Sequence, residues 1–212
     1  MTKIVAISDT HTFHRQLTVP DGDIFVHAGD FLLSGNVEEL SVLYDFNRWL
    51  GELPHKHKFV TCGNHDRMLE THPSLTRPMI TNADLVLDDV REVEGLRFYF
   101  SPWTPRFPEG SDYWKFMKER GEMRQVWNDI PNNIDVLVTH GPPAGVLDTV
   151  SEKAVGDMSL LDAVLRIRPT YHIFGHVHEG RGQVQNQWTE FVNATQVDAV
   201  YRPVYQPIVL EV

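Results

Sequence analysis

Short apolar runs of strand length recur along this chain, at 3–8, 23–28, 58–62, 96–100, 134–138, 171–174, 190–192 and 208–210. Several are continuous rather than alternating, as expected of strands covered on both faces. Segments with helical spacing lie between some of them. Residues 36–53 bring Val37, Leu40, Tyr44, Asn47 and Leu50 near one stripe. Asn36 and Glu39 have the spacing of a capping box, with Asn in place of Ser or Thr. Segments 122–129 and 159–168 are the other predicted helices, stopped by Pro131 and Pro169. Strands alternating with helices predict an α/β fold in the first half. Closer strand spacing after Tyr171 predicts hairpin-like antiparallel strands at the end. Pro102, Pro105, Pro108, Pro142 and Pro143 mark loops after strands, not interdomain linkers. With no internal repeat and no low-complexity segment, residues 1–212 read as one domain.

Charge narrows the partners. Lys plus Arg is 19 and Asp plus Glu is 29, a net charge of −10. That argues against extended nucleic acid and against anionic membranes. A small phosphate ester is compatible, because bound metal ions make a site locally positive. Cys62 is the only cysteine, so neither a disulfide framework nor a thiolate zinc cluster is expected. No targeting pattern follows Met1 and no apolar stretch approaches membrane-spanning length. These features predict a soluble, cytoplasmic protein that does not engage a membrane.

The chemistry sits in five polar clusters, each at or just past the end of an apolar run. They are Asp9-Thr10-His11, Gly29-Asp30, Gly63-Asn64-His65-Asp66, Thr139-His140-Gly141 and Gly175-His176-Val177-His178. Each alone has an ordinary explanation: a Gly-Asp turn, a left-handed loop, a strand with one packed and one solvated histidine. Together they bring seven candidate ligands to one edge, where sites form in open α/β sheets. The seven are Asp9, His11, Asp30, Asn64, His140, His176 and His178. Oxygen and imidazole without sulfur suit Mn²⁺ first, with Fe or Zn²⁺ as alternatives. A carboxylate such as Asp30 has two oxygens with which to bridge. Two such ions, roughly 3.5–4 Å apart, clamp both oxygens of an in-line phosphoryl displacement and bring a shared water toward hydroxide at neutral pH.

In this order the clusters resemble those of the calcineurin-like metallophosphoesterase superfamily, from Asp9 to His178. The strings Ser101-Pro102-Trp103-Thr104-Pro105, 139–143 and 174–180 are similar to the subgroup of metallophosphoesterase-domain-containing brain phosphodiesterases. The resemblance implies a double β-sandwich flanked by helices, with mixed sheets. It implies that Asp9, His11 and His178 bind one metal, that Asn64, His140 and His176 bind a second, and that Asp30 bridges them. His65 becomes the catalytic histidine, donating to the leaving-group oxygen or stabilising phosphoryl charge, and Asp66 shapes the loop. The implied activity is hydrolysis of a small phosphate diester such as a nucleotide by a metal-bridging hydroxide. A phosphomonoesterase, or a non-catalytic scaffold of the same fold, are the competing readings. In one respect the chain departs from the pattern. Many members extend Gly-Asp to Gly-Asp-x-x-Asp, whose second Asp orients the histidine, but here that position is Leu33. The orientation of His65 must come from elsewhere. His176, replaced by Gly in some members, is intact.

Other residues invite weaker readings. His27 and His172 fall inside strands and read as satisfied core histidines; His55 and His57 flank a turn and read as solvated. Cys62 reads as a buried, inert thiol. Trp103, Phe107 and Trp114 either wall a pocket or cover the core edge. Arg15, Arg67, Arg106 and Arg181 lie near motif loops, but solvated surface arginine is the default for each.

Overall fold

The computed structural model describes residues 1–107 and 112–212; Pro108 lies outside them. The apolar runs become strands, in chain order β1 Lys3–Ile7, β2 Ile24–His27, β3 His57–Val60, β4 Asp84–Leu85, β5 Asp89–Val93, β6 Leu96–Ser101, β7 Thr104–Pro105, β8 Met117–Lys118, β9 Val136–Thr139, β10 Thr149–Val150, β11 Lys153–Ala154, β12 Tyr171–Phe174, β13 Gly182–Gln185, β14 Glu190–Asn193 and β15 Ile208–Glu211. The helices are α1 Leu40–Glu52, α2 Met68–Thr71, α3 Pro73–Thr76, α4 Arg120–Asn128 and α5 Met158–Ile167.

One sheet has the order β15-β1-β2-β3-β4, parallel from β1 to β4 with β15 antiparallel at its edge. The other has the order β13-β14-β12-β9-β6-β5, parallel in its centre and antiparallel at both edges. Side chains alternate across each strand, so each sheet has two buried faces. Ile4, Ala6 and Val26 meet Phe98, Phe100, Val138 and Ile173 between the sheets. Val5, Ile7 and Phe25 point the other way and are covered by Leu43, Phe46 and Leu50 of α1. Tyr99, Leu137 and Phe174 are covered by Met123 and Trp127 of α4 and by Leu160 and Val164 of α5. The result is a four-layer α/β/β/α arrangement with mixed sheets, the double sandwich the sequence led us to expect. An isolated bridge between Ser8 and Thr195 ties the sheets at the edge where the five clusters lie.

Three expectations about the elements are corrected. The buried stripe of α1 is Leu43, Phe46, Trp49 and Leu50, whereas Tyr44 is 63% exposed. The Phe46 and Trp49 rings bury apolar surface without a phenolic hydroxyl to satisfy, and they set the rotation of the helix. Asn36 caps nothing with its side chain. The Glu39 carboxylate instead accepts the backbone N–H groups of Leu33, Ser34 and Gly35, tying down the loop before the helix. A reciprocal box does form at Glu119 and Glu122, and Asp157 caps α5 by accepting from Leu160 N. At the C-terminal end only β13 and β14 form a hairpin. β13 lies outermost, so β14 fills the slot beside β12 in parallel, and β15 crosses to the other sheet.

His27 is the satisfied core histidine expected, bonded through both ring nitrogens, whereas His172 is buried with a partner on Nε2 alone. His27 and His172 are fully buried, and burial pushes each down to about 3. His55 is corrected. It is 3% exposed and packs against Phe25 at 5.5 Å between ring centroids, because the turn folds back onto the sheet. His57 is partly exposed and faces Glu94. Cys62 is buried, and burial raises its thiol well above the ordinary value.

Candidate metal centre

The loops that follow β1, β2, β3, β9 and β12 converge on one spot. Asp9, His11 and His178 place ligand atoms within 4.8 Å of one another; so do Asp30, His140 and His176, and so do His11, Asp30 and His65. Asn64 joins the second group, its Oδ1 3.1 Å from His140 Nε2. All seven expected ligands and His65 are therefore brought together. Asp30 is shared between the groups: its Oδ2 lies 3.2 Å from His140 Nε2 and 4.0 Å from His65 Nε2.

The backbone is bent hard to achieve this. Asp9, His11, Asp30 and His176 have φ of 51°, 39°, 59° and 67°, the left-handed region that side chains with a Cβ rarely enter. Such outliers concentrate where surrounding structure holds a functional geometry. The motif glycines make room. A Cβ on Gly63 would sit 2.3 Å from Asp30 Oδ1, and one on Gly175 would sit 2.0 Å from Asp9 Oδ2. Asp66 takes the expected structural part. Its carboxylate accepts from the N–H groups of Gly63, Asp30 and Leu32, locking the β3 loop to the β2 loop.

Three imidazoles are aimed by main-chain carbonyls of a single loop, the one after β2. His140 Nδ1 is 2.9 Å from Ala28 O, His11 Nδ1 is 3.1 Å from Leu32 O, and His65 Nδ1 hydrogen-bonds Leu33 O. A carbonyl only accepts, so each ring carries its proton on Nδ1 and, when neutral, a lone pair on Nε2. Carbonyl partners of this kind orient metal-ligating histidines. The Nε2 atoms then face the other candidate ligand atoms. His11 Nε2 lies 3.2 Å from His178 Nε2 and 3.9 Å from Asp9 Oδ1. His140 Nε2 faces both Asn64 Oδ1 and Asp30 Oδ2. With the rings neutral, lone pairs face lone pairs in a buried site and repel until a proton or a metal ion lies among them. The donor set therefore fits divalent metal ions, with oxygen and imidazole ligands and no sulfur.

The electrostatics say the same. Burial by itself would raise Asp9, but its His178 hydrogen bond and the charges of His140 and His178 outweigh it and hold the carboxyl below its ordinary value. Asp30 is likewise buried yet held well below the usual range by His140 and His65. Burial opposes a charge on His140, but Asp30 wins and lifts it to about 9. His11 and His176, where burial dominates, fall to about 4 and about 3. The pair of carboxylates thus calls for positive charge at the centre.

A cavity of about 420 Å³ opens over the cluster, with Asp30, Asn64, His65, His176 and His178 at its base. Its walls include Phe107, Trp114 and Tyr201. Trp114 packs on the His65 ring at 4.1 Å between centroids, and Phe107 stacks on His176 at 5.5 Å. Trp103 is elsewhere, its Nε1 donating to Asp88 Oδ2 at 2.7 Å. Tyr201 was not visible as a site residue in the sequence, since it lies outside every cluster. Its φ of 62° and its ring, 4.8 Å from His11 and 4.9 Å from His178, identify it. The arginines are held elsewhere: Arg15 by Asp45 and Glu52, Arg67 by Asn36 and the Tyr113 ring, Arg106 by Asp112 and Glu119, Arg181 by Asn193 O and Gln206 O.

The sequence profile described as calcineurin-like phosphoesterase matches residues 2–180. Metallophosphoesterase domain-containing protein 1 of Homo sapiens is 37% identical over 237 residues, covering 99% of this chain and 71% of that protein. One solved crystal structure has a TM-score of 0.69 at 20% identity, covering 91% of this chain and 90% of its own. A structure titled as a novel archaeal phosphodiesterase has a TM-score of 0.50 at 16% identity, covering 98% of this chain and 99% of that chain. The structural matches speak to fold alone.

Proposed function

The chain belongs to the calcineurin-like phosphoesterase family, and from that premise we propose that it is a two-metal phosphodiesterase acting on small phosphate diesters such as nucleotides. The observation that carries the reading is the pair of imidazoles aimed by Leu32 O and Ala28 O, whose Nε2 atoms converge on Asp9, His178, Asn64 and Asp30. In this proposal Asp9, His11 and His178 hold one ion, Asn64, His140 and His176 hold the other, and Asp30 bridges. Mn²⁺ is the first choice and Fe or Zn²⁺ the alternatives, from the hardness of the donors. The ions, when bound, supply Lewis-acid polarisation of the phosphoryl group and an activated water.

The chain's own residues do the rest. Asp9 accepts from His176 N at 2.9 Å and from Ser8 Oγ at 2.5 Å, which fixes its carboxylate. Leu33 O holds the His65 ring so that Nε2 points toward Asp30 and the cavity. From there a protonated His65 delivers a proton to the leaving-group oxygen or offsets charge on the phosphoryl oxygens. The diester preference draws support from the subgroup resemblance. Residues 1–212 act as one domain in this reading, in a cytoplasmic setting where the Cys62 thiol stays reduced.

The test is an activity screen of metal-stripped protein reloaded with Mn²⁺, Fe²⁺, Zn²⁺ or Mg²⁺, offered a nitrophenyl monoester and a bis(nitrophenyl) diester. Turnover of the diester that returns with metal supports the reading. Turnover confined to the monoester makes the protein a phosphomonoesterase, and none with any metal makes it a scaffold.

A further inference from the structure

Two threonines each stand directly before a candidate ligand histidine, Thr10 before His11 and Thr139 before His140. Each hydroxyl meets a fully buried histidine of the neighbouring parallel strand. Thr10 Oγ1 lies 3.0 Å from His27 Nε2 of β2, and Thr139 Oγ1 lies 2.8 Å from His172 Nε2 of β12. The two sheets thus repeat one device, and its fuller form is at His27.

Gly29 N–H donates to His27 Nδ1 at 3.2 Å, so Nδ1 carries the lone pair and Nε2 the proton. Nε2–H then donates to Thr10 Oγ1. This tautomer is the reverse of the one held in His11 and His140, and it leaves neither nitrogen free for a metal ion. The ring is instead a rigid link between two loops. Thr10 lies between Asp9 and His11, and Gly29 precedes Asp30. Those are the bent stretches: φ is 51° at Asp9, 39° at His11, 101° at Gly29 and 59° at Asp30. Main-chain bonds from Asp9 N to Gly29 O and from His11 N to Asp30 O join the loops as well. Left-handed residues persist only where several contacts over-determine them. Edge contacts with Phe31 and Phe46, at 5.9 and 5.5 Å between centroids, keep the imidazole from turning.

We propose that His27 is a positioning residue of the metal centre: through Thr10 Oγ1 and Gly29 N it sets the spacing of Asp9 and His11 from Asp30. The proposal rests on the two-metal reading. It requires that loss of the Thr10 bond loosens metal binding in a chain that stays folded. Groups that orient metal ligands typically contribute about 10–100-fold in affinity, and one acting through a neighbouring residue belongs at the lower end.

The test is calorimetric titration of the metal-stripped full chain with Mn²⁺, with urea unfolding of the same metal-free samples. Thr10→Val removes the hydroxyl at nearly constant volume and is expected to weaken Mn²⁺ binding about tenfold. Thr10→Ser restores the acceptor and should return the affinity to within about threefold of the parent. His27→Leu should also bind about tenfold more weakly. The double variant Thr10→Val/His27→Leu should be weaker than either single one by less than about threefold, because both break the same bond. A double variant weakened by the full product, about a hundredfold, overturns the proposal. So does an unchanged Mn²⁺ affinity in Thr10→Val whose urea midpoint falls, which would make the bond a matter of stability alone. Should His27→Leu not fold, Thr10→Val and Thr10→Ser decide by themselves, and equal affinities in the two overturn the proposal. A parent that binds no Mn²⁺ removes the two-metal reading and this proposal together; a parent that binds it, with additive variants, removes this proposal only.

Discussion

His65 is oriented by the backbone carbonyl of Leu33, the residue that stands where many family members have an aspartate. The side-chain partner has been exchanged for a main-chain one, and Nε2 still faces Asp30 at 4.0 Å. Two outcomes follow. The Leu33 side chain is 43% exposed and takes no part, so Leu33→Ala changes kcat/KM by less than about threefold. Removing a general acid typically lowers the rate by roughly 10²–10⁴-fold. His65→Ala should therefore keep its metals and lose most activity on an alkyl or ribose ester. The loss on a nitrophenyl ester, whose leaving group needs no proton, should be smaller. Steady-state rates at matched metal occupancy decide this; equal losses on both esters would rule out leaving-group protonation.

Asp30 is the residue shared by two of the three ligand groups. Asp30→Asn should therefore lower metal content from about two ions per chain and turnover along with it. His14 is hydrogen-bonded to Asp45 at 3.1 Å, away from the cluster, and His14→Ala should change neither. Elemental analysis of both variants, alongside their rates, makes the comparison. Wild-type metal content in Asp30→Asn would remove the bridging assignment.

Gly175 tests the steric argument without backbone strain, because its φ is not left-handed. A Cβ there would lie 2.0 Å from both Asp9 Oδ2 and Ser8 Oγ, so Asp9 must move. Gly175→Ala is expected to lose at least one metal ion per chain and about a hundredfold in rate, with the far-ultraviolet dichroism unchanged. Gly121, in α4, has nothing within 4 Å of a Cβ, and Gly121→Ala should raise stability by about 0.5–1 kcal/mol. If Gly175→Ala bound metal as the parent does, the close approach would be immaterial.

The strands and the clusters at their ends were legible because both rest on side chains at fixed intervals, whereas the layering followed from the family resemblance. Continuous apolar runs such as 134–138 announce strands covered on both faces, and each polar cluster follows one. What escaped has two physical origins. The carbonyls of Ala28, Leu32 and Leu33 that aim three imidazoles are main-chain atoms, present in every residue and marked by none. Tyr201 reaches the site through a turn built by Asp198 and Arg202, a long-range placement with no periodicity to betray it. Tyr44 failed as a core residue for a third reason: Phe46 and Trp49 offered a better apolar face, and tertiary packing overrode the local stripe.

His172 carries a prediction about acid stability. It lies in β12 with no exposed surface, between Phe174 at 5.0 Å and Phe191 at 5.9 Å. Thr139 Oγ1 donates to Gly141 O, so His172 Nε2–H must donate to that hydroxyl at 2.8 Å, and Nδ1 is left buried without a partner. Protonation at Nδ1 would bury a charge and an unmatched donor together. Burial accordingly pushes the folded-state value from 6.5 down to about 3. The unfolded chain then binds a proton that the folded chain refuses, so this contribution is full above pH 6.5 and is lost as pH falls toward 3. Within that window the single group contributes a slope of about 1.4 kcal/mol per pH unit. His172→Leu removes the titrating ring at similar volume. Urea unfolding of metal-free parent and variant between pH 4 and 6.5 should show a limb shallower by about that slope in the variant, whatever the variant's absolute stability. Parallel limbs would mean that His172 is protonated in the folded protein or that its burial is relieved before the chain unfolds.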